Sequence, residues 1–178
     1  AEPASTEAAR TAARALGPEP NLEALREILR YRRSLHRNGD RICGFDLADG
    51  EDPGDPAAWQ PLVREAREAG LGITVHTGEN TSAEHVKRAV ALYAPDRIGH
   101  GIRSWGDEEA VELLRARGTL LEICPTSNVL TSSVPSIQEH PIRKLRDAGV
   151  RVSINSDDPN LMGIDLVHEY ALCAAHHG

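Results

Sequence analysis

The sequence is short of cysteine, carries no excess of positive charge and has no long apolar run. Its three cysteines, Cys43, Cys124 and Cys173, are an odd number set far apart. They form neither a disulfide framework nor a Cys-x-x-Cys pair, so a reducing, cytoplasmic setting is expected. Twenty Lys and Arg face 27 Asp and Glu, a net charge of −7 with histidine neutral. A nucleic-acid binder needs clustered basic residues to neutralise phosphates, so no such partner is expected. No stretch approaches the ~20 apolar residues of a membrane span, and no charged-apolar-small leader opens the chain, so no membrane association is expected. Low-complexity segments and internal linkers are also missing. What remains is a balanced composition, 40% hydrophobic and 26% charged over 178 residues. That suits one globular domain with a buried core.

A pattern then repeats along the chain. An Ala-rich segment, residues 1–20, reads as a short helix capped by Ser5 or Thr6, running to about Leu16 and ended by Gly17, Pro18 and Pro20. Residues 21–178 form the main domain. Asn21 is a plausible N-cap for a helix with Leu22, Leu25, Ile28 and Leu29 on one apolar face. Five short apolar runs follow: Arg41–Ala48, Gly72–His76, Arg97–Gly99, Thr119–Cys124 and Arg151–Ile154. Between them, Ala57–Ala69, Ser82–Tyr93, Asp107–Arg117 and Pro141–Ala148 have helical periodicity, with Gly70, Gly118 and Gly149 as stops. A β-α-β-α series predicts an α/β protein with a parallel sheet.

Polar residues decide which sheet. Every strand ends in groups that could do chemistry: Asp46 and Asp49; His76 and Glu79; His100; Thr126, Ser127 and Asn128; Asp157 and Asp158. An open doubly wound sheet gathers its site at one switch point, whereas a (β/α)₈ barrel draws on the ends of many strands. The reading is a partial TIM barrel of about five βα units. A whole barrel of about 250 residues has eight strands, so a C-terminal part lacking about three strands is expected, with two unpaired sheet edges that invite aggregation.

Each constellation has a plain alternative. His76 and Glu79 form His-x-x-Glu, a spacing that suits a zinc ligand and a nearby carboxylate; a strand-end histidine is more often simply hydrogen-bonded. The adjacent carboxylates of Asp157 and Asp158 repel unless a cation or proton lies between them; an N-cap followed by an Asp-Pro turn reads equally well. His100 stands between Gly99 and Gly101, which allow close backbone approach or a turn with a passive imidazole. Together, at consecutive strand ends, they point to metal-assisted hydrolysis. A zinc-bound water of pKa about 7 supplies hydroxide, Glu79 shuttles a proton, and His100 or Asp157 takes one from the water. His76 and Asp157 are only two ligands where a catalytic zinc has three or more. His36, His85, His140, His168, His176 and His177 read as lying away from strand ends and do not fill the gap.

GFDLA (44–48), TVHTGE (74–79), RIGHG (97–101), EICPTSN (122–128) and SINSDDP (153–159), in that order, resemble the adenosine deaminase family. The resemblance spans Asn21 to the last residue. It implies a zinc-containing (β/α)₈ barrel that hydrolytically removes the 6-amino group of adenosine, a small-molecule purine substrate. By position, His76 and Asp157 correspond to zinc ligands, Glu79 to the proton donor for purine N1, and His100 to the residue that orients the metal-bound hydroxide. Asp158 corresponds to a hydrogen-bond partner of the purine. The family's remaining two ligands, a His-x-His, are not in this sequence, so the chain alone is expected to be inactive and to hold zinc weakly. Two departures bear on the substrate. DLADGED puts Asp49, followed by Gly50, where the family has a glycine whose N–H meets the purine, and Thr77 replaces a more usual alanine. Deaminases of adenine, of an N6-substituted AMP or of a modified nucleoside are therefore alternatives, as is a non-catalytic purine-binding remnant. The oligomeric state is not legible.

Overall fold

The computed structural model describes residues 19–34, 42–48, 51 and 55–178. The helix expected up to Leu16, together with Asp49, Gly50, His36 and Arg41, lies outside them. Two compact units divide the chain, one within Ala1–Phe45 and Asp52–Ile73, the other Asp46–Glu51 with Thr74–Gly178.

In the first unit, helix α1 (Glu19–Ser34) packs against α2 (Gln60–Glu68). The helix starts two residues before the Asn21 cap expected from sequence. Pro20 falls in its first turn, where a missing N–H costs no intrahelical bond. Leu22, Leu25 and Leu29 are buried while Ile28 is 47% exposed. At 100° per residue the three leucines fall within about 60° of one another and Ile28 lies about 120° from Leu22, off the stripe. Leu62, Val63 and Ala66 form the buried face of α2, and Arg26 Nε donates to both carboxylate oxygens of Glu65 at 3.0 Å. The expected helix from Ala57 is two pieces, a 3₁₀ turn (Pro56–Trp59) and then α2, because Pro61 can stand only in a first turn.

Five strands follow in consecutive order: β1 (Gly44–Leu47), β2 (Gly72–Thr77), β3 (Arg97–His100), β4 (Leu120–Ile123) and β5 (Arg151–Ile154). Gly72 N–H donates to the Cys43 carbonyl at 2.9 Å. The pairings β2–β3, β3–β4 and β4–β5 are parallel, with His76 level with Gly99 and Gly99 level with Glu122. Unbroken strand order without a switch point is the topology of part of a (β/α)₈ barrel, as the sequence implied.

In the second unit the connections are α3 (Ala83–Tyr93), α4 (Glu108–Arg117), α5 (Pro125–Leu130), α6 (Ile142–Asp147), α7 (Pro159–Met162) and α8 (Leu166–His177). Side chains alternate across a strand. One set, including Ile98, Leu121 and Ile123, packs with Val86, Val90, Leu114 and Leu145 of the helices into the core. The other set, Thr74, His76, Gly99 and Glu122, lines a cavity of about 380 Å³. Helix α5 was not expected from the sequence: its buried positions include Ser127 and Asn128, which periodicity of apolar residues does not reveal.

Candidate active site

The turn after β2 depends on a glycine. Gly78 has φ +73°, and a Cβ there would come within 2.4 Å of Val86 Cγ2 and 3.2 Å of Gly101 Cα. This turn carries Glu79 into the interior, where it is 5% exposed. Glu51 braces the same turn. Its carboxylate accepts from the backbone N–H groups of Glu79 (2.7 Å), Asn80 (3.0 Å) and Thr81 (2.8 Å), and from Thr81 Oγ1 (2.6 Å). Burial alone would raise the pKa of Glu51, but these bonds outweigh it and hold the group below the usual range. The remaining neighbour of Glu51 is His76, whose Nδ1 lies 3.6 Å from Oε1. That nitrogen is buried and has no hydrogen-bond partner among the described residues.

Glu79 sits in a ring of side chains. Asn80 Nδ2 meets Glu79 Oε2 at 3.0 Å, Thr131 Oγ1 meets Glu79 Oε1 at 2.8 Å, Thr131 and Ser133 hydroxyls lie 2.9 Å apart, and Ser133 Oγ meets Asn80 Oδ1 at 2.8 Å.

Helix α5 supplies three consecutive orienting side chains. Thr126 donates through its N–H (3.0 Å) and its hydroxyl to buried Glu169 of α8, which anchors the helix. Ser127 Oγ donates to Asp157 Oδ2 at 2.6 Å. Asn128, fully buried, reaches Glu79 Oε1 (3.1 Å) and His100 Nδ1 (3.0 Å) through Nδ2, and its Oδ1 faces His140 Nε2 at 3.1 Å. Proline at the first position starts this helix where no N–H is needed.

His100 lies 3.9 Å through Nε2 from both Glu79 Oε2 and Asp157 Oδ2, and its ring meets that of His76 edge-on at 4.7 Å. Burial, reinforced by His76 and opposed by the carboxylates, lowers its pKa. His100 (φ +63°) and Asp157 (φ +57°) both hold the left-handed backbone that non-glycine residues seldom adopt. Such strain costs on the order of 1–3 kcal/mol and gathers at functional sites.

Ligand atoms of His76, Glu79 and His100 lie within 4.8 Å of one another, as do those of His100, Cys124 and Asp157. Burial and the surrounding carboxylates push the pKa of the Cys124 thiol up. The orphaned imidazole nitrogen and the imidazole–carboxylate donor set fit a zinc ion. His76, His100 and Asp157 line the same cavity. Asp158 precedes α7 and is not among the cavity-lining residues; Asp49 and Gly50 lie outside the described residues.

The sequence reading set aside His140 and attached no role to Glu51, Asn80, Thr131 or Ser133. His140 does join the site, as a partner of Asn128 and not as a strand-end ligand. It arrives on the turn before α6, so strand-end position gave no signal of it. A signal for Glu51 did exist in the DLADGED segment, as a carboxylate two residues past Asp49.

A family model described as adenosine deaminase matches residues 9–178. An adenine deaminase of Rhizobium rhizogenes is 43% identical over 168 residues, 94% of this chain and 50% of that protein. An adenosine deaminase of Shewanella loihica is 38% identical over 158 residues, 88% of this chain and 45% of that one. Among solved structures, adenine deaminase from Arthrobacter aurescens superposes with a TM-score of 0.79 at 30% identity, over 92% of this chain and 48% of that one. The N6-methyl-AMP deaminase of Arabidopsis thaliana does so at 0.75 and 27%, over 88% and 45%. An amidohydrolase from Burkholderia ambifaria with bound Zn does so at 0.70 and 27%, over 85% and 43%. The chain spans about half the length of the curated relatives it matches.

Proposed function

Because the chain belongs to the adenosine deaminase family, we propose that the protein carrying it hydrolyses the 6-amino group of an aminopurine, with zinc as cofactor. The observation that carries this reading is the single buried amide of Asn128, which grips Glu79 and His100 together beside His76 and Asp157. His76 and Asp157 hold the zinc. When bound, zinc lowers the pKa of water to about 7 and so supplies a nucleophile at neutral pH. Glu79 delivers a proton to ring N1, which makes C6 electrophilic, and Asn80, Thr131 and Asn128 hold its carboxyl in place. His100 orients the attacking water and Asp157 takes up its proton, with Ser127 holding Asp157 in place. Asp158 and the backbone N–H of Asp49 bind the purine, as the resemblance implies.

Adenosine is what the resemblance to the family implies, and free adenine is supported by the names of the relatives in R. rhizogenes and A. aurescens. Both present the same reacting amine. Ammonia release measured on the protein containing this chain, with adenine, adenosine and N6-methyl-AMP as substrates, separates them by kcat/KM. Release from none of the three overturns the deaminase reading and leaves purine binding without catalysis. Release from adenine but not adenosine removes the adenosine reading alone.

A further inference from the structure

A chain of hydrogen bonds starts from a donor whose direction is beyond choice. The backbone N–H of Ile142 points to His140 Nδ1 at 3.2 Å, so that nitrogen accepts and carries no proton. The proton of neutral His140 is then on Nε2, which faces Asn128 Oδ1 at 3.1 Å. The amide is thereby fixed, with Oδ1 toward His140 and Nδ2 toward the site. Nδ2 can only donate. One of its hydrogens goes to Glu79 Oε1 (3.1 Å) and the other to His100 Nδ1 (3.0 Å). His100 Nδ1 therefore accepts, and the proton of the neutral ring is on Nε2, the nitrogen 3.9 Å from Asp157 Oδ2. Every member of this chain is buried: Asn128 0%, His140 1% and His100 2% exposed.

We propose that Asn128 and His140 are positioning residues that hold His100 as its Nε2–H tautomer, so that His100 presents a hydrogen-bond donor to the reacting water and Asp157 receives the proton. This deepens the deaminase reading and rests on it for its chemistry, although the tautomer itself does not. With Nδ1 occupied by an amide hydrogen and Nε2 already protonated, neutral His100 has no lone pair to offer at the cavity. Asp157 retains Oδ1 beyond the Ser127 bond to Oδ2.

The test is ¹⁵N NMR of histidine-labelled protein at neutral pH without substrate, with the His100 resonances assigned by their loss in His100→Gln. Two-bond couplings report which ring nitrogen bears the proton. The expected result is Nε2–H at His100 and Nε2–H at His140. His140→Gln keeps a donor toward Asn128 Oδ1 and leaves the His100 tautomer unchanged. His140→Phe removes that donor and frees the amide to turn, so the Nδ1–H form of His100 appears. Asn128→Asp, which cannot donate, gives the same outcome by a second route if His140→Phe fails to fold. Nδ1–H at His100 in the unmodified protein overturns the proposal, as does an unchanged tautomer in every folded variant. In turnover assays, His140→Phe lowers kcat about 10- to 100-fold with KM little changed, and His140→Gln restores most of it. A change in KM alone assigns these residues to purine binding and also overturns the proposal. Were deamination not found, the tautomer result would still stand or fall by itself.

Discussion

Gly78 shows what one atom decides. Its left-handed φ of +73° is one that a side chain resists, and a Cβ would collide with Val86 and press on the Gly101 backbone. Left-handed strain of about 1–2 kcal/mol adds to overpacking of about 1–3 kcal/mol. Gly78→Ala is therefore expected to lower unfolding free energy by roughly 2–5 kcal/mol in urea titrations and to displace Glu79 with it. Glu79 and His76 separate by function at the same scale. Glu79→Gln keeps the shape and an amide that can still meet Thr131, but it has no acidic proton to deliver. Turnover should fall on the order of 10²- to 10⁴-fold, while metal content measured by atomic emission stays the same. His76→Ala should lose both. Substantial activity in Glu79→Gln would remove the proton-donor role.

At the scale of elements, the strands were legible because alternating burial leaves a short apolar signature, and all five runs fall where strands occur, with no end shifted by more than three residues. Strand-end histidines and carboxylates were legible for the same reason, since a parallel strand delivers its last residues to one face. Helix α5 was not. Its inward residues are Ser127 and Asn128, polar groups buried because they are hydrogen-bonded, and apolar periodicity is blind to them. The turn that brings His140 was equally silent, because its role comes from a partner twelve residues earlier in the chain. Burial of that imidazole has a measurable consequence. Desolvation, with lesser contributions from His177 and His100, pushes its pKa down to about 4 from 6.5. Between those values the unfolded chain binds a proton that the native state refuses, so stability falls as pH drops from 6.5 toward 4. The full effect is about 3 kcal/mol at 1.36 kcal/mol per pKa unit. Urea unfolding at pH 7 and pH 4.5 should show this loss in the unmodified protein and a smaller loss in His140→Gln. Equal losses in the two would mean that His140 is not held neutral.

At the scale of the whole molecule, ligand supply governs how tightly the metal is held. On the proposed assignment His76 and Asp157 are the two metal ligands, in a cavity that Asp46, His100, Glu122 and Cys124 also line, and a catalytic zinc takes three or more protein ligands. The chain matches only about half the length of its relatives. Two consequences follow for the 178 residues studied as an isolated piece. Purine turnover should be below detection, and zinc should dialyse away. Stability reports the same quantity without any substrate. A ligand that binds only the native state adds RT ln(1 + [L]/Kd), about 2.7 kcal/mol at one hundred times Kd, and each kcal/mol moves Tm by roughly 2–4 °C in a chain of this size. For the isolated piece, excess zinc should raise Tm by less than about 2 °C, because free metal stays below a weak Kd. In a longer protein that supplies further imidazoles the same addition should raise it by roughly 5–10 °C, and chelation should reverse the gain. A large, chelator-reversible rise in the isolated piece would show that His76, Asp157 and their neighbours suffice as ligands, and the count of two would be wrong.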